Sequence, residues 1–136
     1  MASTDLRGES PQRRIVVADD DPDQLELVAD LLREEGYDVV EVSDGSQLLV
    51  RVEDAFVGLH SSEPADLFIT DNHMPGLTGM EVLQGLREAG LKTPVIVMTS
   101  LGVEEARELS RAFDASFLQK PFTREQLLAG VRAALG

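Results

Sequence analysis

The chain contains no cysteine, which removes disulfides, thiolate metal sites and thiol nucleophiles together. Basic residues are scarce: 12 Lys and Arg stand against 25 Asp and Glu, a formal net charge of −13. Nucleic-acid and anionic-membrane surfaces both need clustered cations, so neither is expected here. Long hydrophobic runs are missing as well. None approaches the roughly 18 apolar residues that span a bilayer, and the first fourteen residues lack the apolar stretch of a secretory signal. A cytoplasmic protein is the expectation.

What is present is one domain's worth of chain, 136 residues with 43% hydrophobic content. Residues 1–12 are polar and aperiodic and read as a mobile N-terminal tail, leaving 13–136 as one folded unit. Five short apolar runs follow: Ile15–Ala18, Val39–Val42, Leu67–Thr70, Val95–Met98 and Ser116–Leu118. Three are continuous, as strands buried on both faces should be. Glu41 interrupts the second and the last is short, so these two are expected at the sheet edges.

Between the runs the apolar spacing becomes helical. The stripes are Leu25, Val28, Leu31 and Leu32; then Leu48, Leu49, Val52, Phe56 and Leu59; then Val82, Leu83 and Leu86; then Val103, Ala106, Leu109 and Phe113; and finally Leu127, Leu128, Val131 and Leu135. Helix starts carry caps. Asp21-Pro22-Asp23-Gln24 offers an N-cap acceptor, Pro at N1 and Gln at N3, and Asp44-x-x-Gln47, Thr78-x-x-Glu81 and Thr123-x-x-Gln126 repeat the pattern. Phe122 and Leu127 add a hydrophobic staple to the last, and Gly36 and Gly90 stand at C-cap positions. Strands alternating with helices imply parallel pairing, hence a doubly wound α/β domain with five strands and helices on both faces.

In open parallel sheets ligands bind outside the carboxyl ends of the strands. Here those ends carry Asp19, Asp20 and Asp21, then Thr70 and Asp71, then Thr99 and Ser100, then Gln119 and Lys120 before Pro121. Asp21 is accounted for as an N-cap; Asp19 and Asp20 could be solvated loop acids, Lys120 a surface lysine and Thr99 a plain strand residue. Convergence on one edge favours a joint role. Three carboxylates this close repel, and one keeps its proton unless a cation intervenes. Mg²⁺ takes such oxygen ligands and leaves room for phosphate oxygens, whereas no calcium-loop spacing is present. These parts suit phosphoryl transfer onto a carboxylate, with Asp71 as nucleophile and Thr99 and Lys120 on the oxygens the metal does not reach. No nucleophile triad, zinc-protease motif or Walker glycine loop appears.

The pattern resembles the receiver domain of bacterial two-component response regulators. Ile15-Val16-Val17-Ala18-Asp19-Asp20-Asp21-Pro22-Asp23 is similar to its first strand and acid pair. The stretch Asp66 to Gly79 is similar to its phosphorylated strand and D-x-x-M-P-G-x-x-G turn, Pro94 to Ser100 to its switch-hydroxyl strand, and Lys120-Pro121-Phe122 to its K-P-F. The likeness runs from residue 13 to about 135. It implies a flavodoxin-like (βα)5 fold with strand order 2-1-3-4-5. It implies that Asp71 accepts a phosphoryl group from a histidine kinase or phosphotransfer protein. Mg²⁺ would be held by Asp19, Asp20, Asp71 and the backbone carbonyl of His73. Phe117 would be the aromatic switch that follows Thr99, and the face made by the fourth helix, fifth strand and fifth helix would signal to a protein partner. Such a domain catalyses only its own phosphorylation and dephosphorylation.

Several positions depart from the pattern or flank it. The region Gly45 to Asp66 is longer than usual by about two turns, and its apolar stripe reads as an extended helix ending near His60. Asn72, His73 and Leu101 flank the site; His73 is either an exposed turn residue or a group that alters access to it. Asn72, Asp44 and Glu63 read as surface or turn chemistry. The acids Glu26, Asp30, Glu34 and Glu35 form a solvated face of the first helix or meet a basic partner. A stand-alone switch is the first reading, since no segment follows the fifth helix. A module excised from a hybrid kinase or multidomain regulator and a non-phosphorylated interaction domain of the same fold are the alternatives.

Overall fold

Each of the five apolar runs forms a strand. The computed structural model describes residues 12–48, 50–51, 65–74, 78–88, 90–100 and 102–136. The order is β1 (Arg14–Ala18), α1 (Pro22–Glu34), β2 (Asp38–Val42), helical residues 45–48 and 50–51 (α2), β3 (Leu67–Asp71), α3 (Gly79–Glu88), β4 (Val95–Thr99), α4 (Val103–Phe113), β5 (Ser116–Gln119) and α5 (Arg124–Leu135). All neighbouring strands are parallel in the order β2-β1-β3-β4-β5, as expected, and the two strands marked as edges are the edges. β3 and β4 are buried along their whole length. Both run one residue further than their apolar runs, because Asp71 still pairs with Met98 and Thr99 with Gln119.

Alternation along the strands divides the interior in two. Ile15, Val17, Leu67, Ile69, Ile96 and Met98 meet Leu25, Val28 and Leu32 of α1 and Leu127, Leu128 and Val131 of α5. Val16, Ala18, Phe68, Val95 and Val97 face the other way, onto Leu48, Val82, Leu83 and Leu86. The sheet is thus covered on both faces. The part of the second stripe beyond residue 51, with Val52, Phe56, Leu59, His60 and Glu63, lies outside the described residues, as do Leu49 and residues 1–11. The side chains of the α4 stripe lie outside them too.

The caps form as the local patterns require. Asp21 accepts from the backbone N–H groups of Asp23 and Gln24, and Pro22 occupies N1. Thr78 with Glu81 and Thr123 with Gln126 make reciprocal capping boxes. At the fourth site Asp44 accepts from Gln47 N–H, but the Gln47 side chain reaches Ser43 rather than Asp44. Gly36 and Gly90 have φ of 95° and 82° and close two Schellman motifs, with Tyr37 N–H on the Leu32 carbonyl and Leu91 N–H on that of Leu86. At the β2 edge, Arg33 pairs with Glu41 and also donates to the Val39 carbonyl.

The burial of α1 is one-sided and testable. Leu32 is 0% exposed and Leu27 53%. Leu32→Ala is expected to cost about 2–5 kcal/mol, the range for an emptied core site, while Leu27→Ala stays within about 0.5 kcal/mol. Urea denaturation of the two variants measures both values.

Candidate functional site

The strand order reverses direction at β1, whose two sides lead to β2 and to β3, and the crevice above this point is where a doubly wound sheet binds ligands. Asp19 follows the last residue of β1 and Asp71 ends β3. One carboxylate oxygen each from Asp19, Asp20 and Asp71 lies within 4.8 Å of the others. Asp19 and Asp71 are buried and Asp20 is exposed. Lys120, one residue past β5, brings its Nζ to 2.6 Å from Asp71 Oδ1. Its backbone is fixed as well: Lys120 N–H donates to the Thr99 carbonyl at 2.7 Å, and the Lys120–Pro121 peptide is cis.

Thr99 is buried at the end of β4, beside β3. Phe117 pairs in register with Val97, two residues before Thr99, and packs half-buried on the second core. His73 is exposed. The structure therefore brings together the acids, Lys120 and the strand end that carries Thr99. Leu101, Pro75 and Gly76 lie outside the described residues.

The first acid is in an unusual state. Asp19 Oδ1 accepts from Asp21 N–H at 3.0 Å, but Oδ2 is buried with no hydrogen-bond partner. Its pKa is raised. Desolvation is the largest cause, Asp71 and Asp20 add repulsion, and the Asp21 N–H and Lys120 oppose the shift. Asp19 is thus the acid shifted in the direction expected of crowded carboxylates, with burial contributing more than repulsion between the acids. An unpaired buried oxygen beside two further carboxylates fits a hard divalent cation, which ligates oxygen and offsets the shared charge.

One polar residue has different surroundings from those the sequence suggests. Asn72 reads as surface or turn chemistry, yet it is buried: its N–H continues the ladder to the Met98 carbonyl at 3.0 Å, and its Oδ1 has no partner. A buried acceptor left so costs about 1–3 kcal/mol. Thr70, beside Asp71, is also buried and donates to the Asp71 carbonyl at 3.0 Å. For Asn72 the available signal was its place two residues past the Leu67–Thr70 run, since the ladder extends beyond the apolar residues.

A doubly wound parallel sheet with three clustered carboxylates at its switch point and a lysine on one of them defines the class of the domain. A family model for the response regulator receiver domain matches residues 15–132, and the chain belongs to that family. Over 123 residues it is 35% identical to the transcriptional regulatory protein CpxR of Escherichia coli (strain K12), a match covering 90% of this chain and 49% of the relative. The chain spans about half the length of the curated relatives it matches. The chemotaxis response regulator CheY4 of Vibrio cholerae superposes with a TM-score of 0.77 at 26% identity, covering 92% of this chain and 100% of that one. The receiver domain of the sensor histidine kinase PA1611 from Pseudomonas aeruginosa PAO1 gives a TM-score of 0.73 at 26% identity, over 93% and 99% of the two chains; its structure has a magnesium ion coordinated in the active-site cleft. By family this is a signalling domain of two-component systems. Among the described residues no helix is long and apolar enough to cross a membrane.

The Asp19 environment has a pH signature. Folded Asp19 holds its proton more tightly than the unfolded side chain does. The ionised form therefore subtracts stability at neutral pH, and the loss is relieved as pH falls through the raised pKa. Without divalent ions, Asp19→Asn, which keeps an acceptor for Asp21 N–H, is expected to be more stable than the parent at pH 7. The gap narrows as pH falls toward the ordinary carboxylate range, as followed by urea midpoints.

Proposed function

We propose that residues 13–136 act as the phospho-accepting switch of a two-component phosphorelay, with Asp71 as the acceptor. The observation that carries this is the crevice itself: three carboxylate oxygens within 4.8 Å of one another and Lys120 Nζ 2.6 Å from Asp71 Oδ1. A carboxylate oxygen of Asp71 attacks the phosphorus of a phosphohistidine on a kinase or phosphotransfer protein. The P–N bond breaks, the imidazole nitrogen keeps the electron pair and takes a proton from solvent, and an acyl phosphate forms. Asp19, Asp20, Asp71 and the His73 carbonyl would hold Mg²⁺, which would supply positive charge to offset that of the phosphoryl oxygens.

Lys120 then exchanges its contact with Asp71 for one with a phosphoryl oxygen, serving as a point charge. The Thr99 hydroxyl donates to another, and Phe117 turns inward behind it. The consequence is a shift in population between two packings of α4, β5 and α5, read by a partner only through its different affinity for the two. The acidic surface favours a protein partner over nucleic acid for this domain, and a cytoplasmic setting fits such a relay. A second reading concerns context. The twofold length of the curated relatives supports a module that works within a longer regulator or hybrid kinase.

Acetyl phosphate with Mg²⁺ is expected to add one phosphoryl group to the parent, visible by intact mass, and none to Asp71→Asn. An equal adduct on the variant removes Asp71 from its role. Mg²⁺ alone is expected to raise the melting temperature. At tenfold over its Kd the stabilisation is about 1.4 kcal/mol, and Asp19→Asn should lose most of it. A flat thermal response in the millimolar range favours the non-phosphorylated interaction domain instead.

A further inference from the structure

Helix α3 runs from the acid crevice to the opposite end of the sheet. Its first turn follows the segment after Asp71 and is fixed by the Thr78–Glu81 capping box. Its last turn carries Arg87, about 12 Å along the axis from Gly79. This half-buried guanidinium donates from Nη1 to the carbonyls of Leu91 and Thr93 and from Nη2 to the carbonyl of Asp114, each at 3.0 Å. Leu91 and Thr93 lie in the α3–β4 connection, whereas Asp114 lies in the turn between α4 and β5. Asp114 has φ of 52°, the left-handed region that a residue with a Cβ adopts reluctantly. A cleft of about 420 Å³ opens beside the clasp, bordered by Arg87, Val95, Asp114, Ala115 and Ser116. Open space adjoins the turn on that side, and the Nη2 bond to the Asp114 carbonyl ties the turn to α3 there, while Ala115 packs on the second core.

We propose that Arg87 is a positioning residue that ties the α4–β5 turn to α3, and through that helix to the acid crevice, as a second connection alongside Thr99 and Phe117. The proposal rests on the phospho-switch reading above. A ten-residue helix moves as a unit, so displacement of its crevice end is carried to Arg87. The charge-assisted bond from Nη2 to the Asp114 carbonyl then carries it to the turn between α4 and β5. Spatial intermediacy alone does not establish coupling, so the test measures response at both ends.

Hydrogen exchange is followed with and without Mg²⁺ and beryllium fluoride, a stable phosphoryl mimic. The parent is expected to change exchange around Thr99 and Lys120, at Phe117 and in the segment 114–115. Arg87→Met is expected to raise resting exchange in 114–115 by roughly tenfold or more and to abolish the ligand-induced change there. Its changes at Thr99, Phe117 and Lys120 remain, and its beryllium fluoride affinity stays within about twofold of the parent's. Arg87→Lys, which keeps the charge but not the fork, should respond in 114–115 at reduced amplitude. A full response in 114–115 by either variant overturns the proposal, and the lysine variant decides if the methionine variant fails to fold. A parent that responds at Thr99 and Lys120 but not in 114–115 also overturns it. A parent that neither responds to beryllium fluoride nor takes up phosphoryl from acetyl phosphate overturns the phospho-switch reading instead.

Discussion

Gathering acids at the end of a sheet is opposed twice, by lost hydration and by mutual repulsion. Among the described residues the Asp21 N–H offsets part of this at Asp19, and Lys120 offsets it at Asp71. Its Nζ meets Asp71 across 49 residues of sequence, and that meeting depends on the ladder from β3 through β4 to β5. Asp71 lies opposite Met98, Thr99 opposite Gln119, and Lys120 follows directly with its own N–H on the Thr99 carbonyl. A slip of one residue in any of these strands would turn the lysine or the acid to the other face. The register that builds the core therefore also places the charges.

The compensation is incomplete, and the remainder is informative. Asp19 keeps an oxygen without a partner, and burial is the main reason its proton is hard to remove. Elsewhere several arginines among the described residues pair with acids of the same domain. Arg14 pairs with Asp38, Arg33 with Glu41, Arg124 with Glu34 and Glu35, and Arg132 with Glu35. Such partly exposed pairs contribute little stability one by one. Their larger effect is to leave the outward field to the surplus acids, which steers cationic partners toward the domain and repels anionic ones.

Much of this was legible from residues alone because the signals are local or periodic. Central parallel strands are apolar on both faces, so β1, β3 and β4 announce themselves, and Glu41 exposes β2 as an edge. Caps depend on side chains within four residues, which is why Asp21, Thr78 and Thr123 could be assigned. The acids and Lys120 could be assembled because strand ends share one rim. What escaped was set by contacts with no local trace. Asn72 is polar but continues a ladder with Met98, so its burial depends on the neighbouring strand. Arg87 carries no pattern that singles it out, and its acceptors are carbonyls up to 27 residues away. Gln47 chose Ser43 over Asp44 within the same turn, a distinction too fine for a spacing rule.

The sheet also acts as a partition. The buried side chains against α1 and α5 and those against α2 and α3 form separate sets, divided by a layer of backbone. Residues on opposite sides of such a wall share no partners, so the energies of substitutions on the two sides should sum independently. Evolution can accordingly remodel one side's hydrophobic interior while leaving its counterpart intact, and the ionisable rim, which borders both compartments, is the place where the two histories must agree.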